Sequence, residues 1–93
     1  TMHATVLDER NYLYSRDFPG YLVDRLSREL PGEPVVMFVN GAFGNVNQIR
    51  APGEWISSFD EARKIGGQIA EVFIDKFDDR ERLNVTDIDI QCT

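Results

Sequence analysis

The stretch "VVMFVNGAFGNVNQ", residues 35–48, decides how this chain is read. Val35, Val36, Met37, Phe38 and Val39 form an apolar run without alternation, which predicts a strand covered on both faces, as in a parallel sheet. The run stops at Asn40-Gly41 and gives way to Gly44, Asn45, Asn47 and Gln48. Such residues bend the backbone and offer hydrogen-bonding side chains, so the apolar strand should end in a polar loop.

Working outward, the neighbouring stretches fit a sheet with covering helices. Met2–Leu7 is short and partly β-branched, and predicts a first strand. Helix 18–30 follows, with Asp17 placed to cap it, Pro19 tolerated in the first turn and Leu22, Leu26 and Leu30 on one stripe. Pro31-Gly32-Glu33-Pro34 ends it. After the loop, Ser58 and Glu61 have capping-box spacing and predict a second helix over 58–77. Its apolar face would be Ala62, Ile65, Ile69, Val72, Phe73 and Phe77. Gly66-Gly67 inside it costs about 1 kcal/mol per glycine relative to alanine, a cost that a close approach to another element would offset. Leu83–Ile90 predicts a last strand whose apolar parity changes near Thr86-Asp87, as at a bulge. The expected order is β-α-β-α-β, an α/β fold with a mainly parallel sheet and right-handed crossovers. Residues 1–93 would form one partial domain, a piece of a larger one.

Composition narrows the function. A net charge of −6 and scattered arginines argue against nucleic acid, which requires a basic face. No apolar run approaches the ~20 residues of a membrane span. The single Cys92 excludes an internal disulfide and a cysteine-based zinc site.

In a parallel sheet, ligands bind at the carboxyl ends of strands. Two polar groups would meet there: His3 with Thr5, and the loop from Asn40 to Gln48. A phosphate cradle is excluded, because the glycines do not lead into a helix and no Gly-Lys-Ser/Thr is present. The plainer readings are a surface turn for the loop, a structural role for the lone His3, a helix cap for Asp17, and a cover for the loop's apolar underside by Trp55, Tyr12 and Tyr14.

Taken in order, three stretches resemble one family. "MHATVL" (2–7) is similar to the His-Pro-Thr-Val-Leu segment of the neutral/alkaline non-lysosomal ceramidases. "YSRDFPGY" (14–21) resembles that family's Ser-x-Asp-x-x-Gly-Tyr stretch, and "FVNGAFGNVNQ" (38–48) its Asn-x-x-x-Gly-Asp-Val-(Ser/Asn)-Pro loop. Those enzymes are zinc hydrolases that cleave the amide bond of ceramide to a fatty acid and sphingosine.

The resemblance implies that His3 is a metal ligand and zinc the cofactor. It implies that Asn40, Gly41, Asn45 and Asp17 contribute to substrate binding. Asn47 stands where ceramidases carry a catalytic serine, Asn45 replaces an aspartate, Gln48 a proline, and Ala4 the proline after the histidine. Asparagine is neither nucleophile nor base, but it can orient water or donate to an oxyanion. The implied protein is a zinc-dependent amidohydrolase acting on a lipid or related amide. Its other ligands, a second histidine, a glutamate and a tyrosine, would lie in the remainder of the parent chain, and this piece alone would be inactive and prone to self-association. A module that binds a partner or small polar ligand without catalysis, with a structural His3, is the rival reading. The enzyme reading requires the His3 ring within about 10 Å of the Asn40 or Asn47 side chain, the span of a metal ion, water and a carbonyl.

Overall fold

The computed structural model describes residues 1–47 and 55–77, and in them the chain forms two helices. Helix α1 spans Asp17–Glu29 and α2 spans Phe59–Asp75, each within two residues of its expected bounds. No described helix is long and apolar enough to cross a membrane.

The helix ends follow from local chemistry. Ser58 is the N-cap of α2, its hydroxyl accepting the Glu61 N–H at 3.0 Å. Helix α1 begins differently from expectation. Arg16 is the N-cap and makes no side-chain capping bond, while Asp17 is the first helical residue, at φ 52°. That left-handed angle suits few side chains, and aspartate is among those that adopt it. It is held by the Ser15 hydroxyl accepting the Asp17 N–H at 2.9 Å, and by Asp17 Oδ1 accepting the Phe18 N–H at 2.7 Å. At the far end, Leu30 turns extended and Gly32 takes φ 83°, which glycine adopts without strain.

The two helices pack along a line of small residues. In α2 the buried positions are Ala62, Gly66 and Ala70, one every fourth residue. A Cβ on Gly66 would lie 2.5 Å from the Phe18 carbonyl oxygen and 2.9 Å from the Leu22 nitrogen, so the glycine is what lets the backbones approach. Two linked apolar clusters flank this line. Leu22, Leu26, Leu30 and Ala70 gather Val36, Phe38, Ile74 and Phe77 around them. Val6, Phe18 and Ala62 gather Met2, Tyr21, Phe38 and Ile65. Phe38 joins the two clusters, its ring edge-on to Phe18 at 5.5 Å. The expected apolar face of α2 therefore needs correction: Ile69, Val72 and Phe73 stay substantially exposed, because the small-residue line takes the contact with α1.

The expected α/β sheet is also corrected. Among the described residues there is no β-strand, and 2–7 and 35–39 are both extended or irregular segments. A strand needs a neighbour to share its ladder. Side chains take most of the bonds that a neighbouring strand would make to the first segment. Asn40 bonds the Met2 N–H and carbonyl, the Asp17 carboxylate accepts from Val6 and Leu7, and the Trp55 indole donates to the Val6 carbonyl. In 35–39 the alternation hidden by the uniform apolar sequence is plain. Val36 and Phe38 pack on the helices, while Val35, Met37 and Val39 are 93, 79 and 77% exposed. The run covers one face, not two. The expected strand 83–90 and residue Gln48 lie outside the described residues.

Candidate functional site

The N-terminal segment and the asparagine loop come together. Phe43 and Val46 close a turn, with the Val46 N–H donating to the Phe43 carbonyl at 3.0 Å. The Val46 carbonyl then accepts the His3 N–H at 3.1 Å, and the His3 ring stands edge-on to Phe43 with centroids 4.8 Å apart. Further back, the Asn40 carboxamide grips Met2 at both ends: Oδ1 accepts its N–H at 3.2 Å and Nδ2 donates to its carbonyl at 2.9 Å. A main-chain strand neighbour would make the same pair of bonds, so one side chain replaces a short piece of ladder.

The opposite flank of the segment is fixed to α1. Asp17 is 6% exposed, and its two oxygens accept Val6 N–H at 3.1 Å and Leu7 N–H at 2.9 Å. A buried carboxylate is costly unless hydrogen-bonded, and these bonds together with the Phe18 N–H satisfy it. The positive end of the helix favours the same charge.

Between the segment and the loop opens a cavity of about 580 Å³ lined by His3, Thr5, Leu7, Asp8, Glu9, Asn47 and Trp55. His3 and Asn47, from the two polar groups that the sequence reading expected to meet, thus both line it. Asn40 and Asp17 do not line it; they hold the segment that does. Gly41 lies beneath the N-terminus, where a Cβ would stand 3.1 Å from the Thr1 hydroxyl. Asn45 is exposed in the turn and does not line the cavity either.

Asp8 and Glu9 are lining residues that the sequence reading left out, whereas Trp55, read as a cover for the loop's apolar underside, lines the cavity as well. Asp8 and Glu9 follow directly on the His3 segment, and that position was the available signal. The Arg10 guanidinium, hydrogen-bonded to the Asp8 carboxylate, holds that carboxyl below its ordinary value of 3.8, and the Arg10 N–H bond adds to this. The Asp8 N–H donates to the Ser57 hydroxyl at 2.9 Å, which ties the start of α2 to the cavity rim. Trp55 contributes its ring to the wall and its indole N–H to the Val6 carbonyl at 3.4 Å.

The donor set does not make a zinc site by itself. Catalytic zinc needs three protein ligands and an open position. The described residues offer one histidine, and they contain no group of three or more His, Cys, Asp or Glu side chains able to hold a metal ion. What the wall does offer is an imidazole, a carboxamide, two carboxylates and an apolar floor of Leu7 and Trp55. Comparison of the chain with family models, with curated proteins and with solved structures returned no match.

Proposed function

We propose that this chain forms one wall of the active site of a ceramidase-like amidohydrolase, acting on an amide of a lipid or a related small molecule. The observation that carries the reading is the shared cavity. His3 and Asn47 come from segments 44 residues apart in sequence, and both face one open space with an apolar floor.

The roles follow from the chemistry of each group. The Asn47 carboxamide N–H is suited to donate to the oxygen of a scissile carbonyl as negative charge develops on it. Leu7 and Trp55 offer a surface for the hydrocarbon of an acyl chain. Asp8 is engaged by the Arg10 guanidinium, and Glu9 is the cavity's further carboxylate for accepting a proton from attacking water. In this reading His3 would be one ligand of zinc, and the further ligands would come from the remainder of the parent chain.

The test is hydrolysis of a panel of N-acyl amides by the full-length protein that carries this sequence, followed by release of free fatty acid. Asn47→Ala should lower kcat by about 10²-fold with little change in KM, as loss of an oxyanion donor does. Trp55→Ala should raise KM most for the longest acyl chains. Absence of hydrolysis across the panel, or an Asn47→Ala variant as active as the parent, contradicts the proposal.

The rival reading, a non-catalytic binding module, is favoured by the His3–Phe43 packing, which gives the imidazole a structural role. In that case His3→Phe would preserve both stability and ligand binding.

A further inference from the structure

We propose that Asn40-Gly41 is a self-modification site, gated by residues 1–3, whose reaction irreversibly loosens the Met2–His3 segment from the loop. The inference stands on the Asn40 clamp and is independent of the enzymatic reading.

Of the asparagines at 11, 40, 45, 47 and 84, only Asn40 is followed by glycine; the others precede Tyr, Val, Gln and Val. A backbone nitrogen that is followed by no Cβ can approach the preceding side-chain carbonyl carbon with the least steric hindrance. The Gly41 nitrogen attacks Cγ of Asn40, the C–N bond to the carboxamide nitrogen breaks, and ammonia leaves with the amide proton. The cyclic imide that remains is opened by one water, giving aspartate or isoaspartate. No oxidant or further reactant is required.

In the folded chain this reaction is held back. Both polar atoms of the carboxamide are bonded to Met2, at 3.2 and 2.9 Å, which fixes the side chain away from cyclisation. The Thr1 hydroxyl also stands over Gly41. Cyclisation therefore waits for residues 1–3 to lift off the loop.

The product cannot restore the clamp. A carboxylate still accepts the Met2 N–H, but it has no donor for the Met2 carbonyl, and two oxygens then face each other where a 2.9 Å hydrogen bond stood. An isoaspartate would also lengthen the main chain at the start of the loop. Either product loosens the Met2 contact next to the His3–Val46 bond.

The test is peptide mapping by mass spectrometry of the full-length protein aged at mildly alkaline pH, in native buffer and in denaturing urea, with hydrogen exchange of the His3 amide as a second readout. A mass gain of about one dalton should appear at Asn40 before any other asparagine in urea, and at least about tenfold more slowly in native buffer. In Asn40→Asp the His3 amide should exchange at least about tenfold faster than in the parent. Equal rates with and without urea, earlier conversion of another asparagine, or unchanged His3 exchange in a folded Asn40→Asp overturns the proposal. If that variant does not fold, the native and denatured rates of the parent protein decide alone.

Discussion

At the scale of single residues, Asp17 bears more of this structure than its sequence context suggests. An aspartate before a leucine-striped helix reads as an N-cap. Instead it sits one position inside α1 and turns its carboxylate onto the main chain of another segment. Asp17→Ala would leave the Val6 and Leu7 N–H groups without acceptors and should cost about 3 kcal/mol, seen as a lower urea midpoint. Asp17→Asn keeps one acceptor and tolerates the left-handed backbone, so it should fall between the two.

Asp8 gives a pH prediction with the opposite emphasis. Its folded pKa is depressed, so the Arg10 contact adds stability above the ordinary value of 3.8, and that contribution is lost as pH falls through the lower folded value. The Arg10 side chain is 83% exposed and the Asp8 side chain 20%, so Arg10→Ala should lower stability at pH 7 slightly but measurably. The difference from the parent should vanish in strong acid, as urea melts at the two pH values would show.

At the scale of elements, the two glycines of α2 separate two effects that the sequence presents as one. Gly66 faces the α1 backbone, whereas a Cβ at Gly67 would meet only the Arg25 guanidinium at an ordinary 3.6 Å. Gly66→Ala should destabilise by about 2 kcal/mol, because overpacking against main-chain atoms outweighs the gain in helix propensity. Gly67→Ala should stabilise by up to about 1 kcal/mol. Thermal melts of the two variants check the contrast.

The helices were legible because caps, breakers and the leucine stripe are local signals. The extended segments were not, for a physical reason. "VVMFV" is apolar at every position, so its sequence cannot say whether one face or both are covered. Likewise, nothing in "MHATVL" shows that Asn40, Asp17 and Trp55 side chains replace a neighbouring strand. The meeting of His3 with the loop was anticipated from parallel strands ending side by side and from the family resemblance; it occurs without the strands, through the His3–Val46 and Asn40–Met2 bonds. The cavity's carboxylates were missed because residues 8 and 9 carry no periodic signal.

At the scale of the whole molecule, the helix pair has one apolar flank filled by Val36 and Phe38 and leaves Val35, Met37 and Val39 outward. A row of exposed apolar residues on an extended segment favours association. Met37→Lys should leave stability within about 0.5 kcal/mol of the parent while reducing any self-association seen by sedimentation. Phe38→Ala, which removes the ring shared by both clusters, should cost about 3 kcal/mol.

The proposed amidohydrolase site, with His3 and the asparagine loop as one wall, makes a prediction about metal. The zinc content of the full-length protein, compared with that of its His3→Gln variant, tests it most directly. Zinc should be bound in stoichiometric amount to the parent protein and lost from the variant, with helical circular dichroism unchanged. A parent protein purified without zinc that takes up none when it is supplied, or a variant that retains it fully, would contradict the proposal.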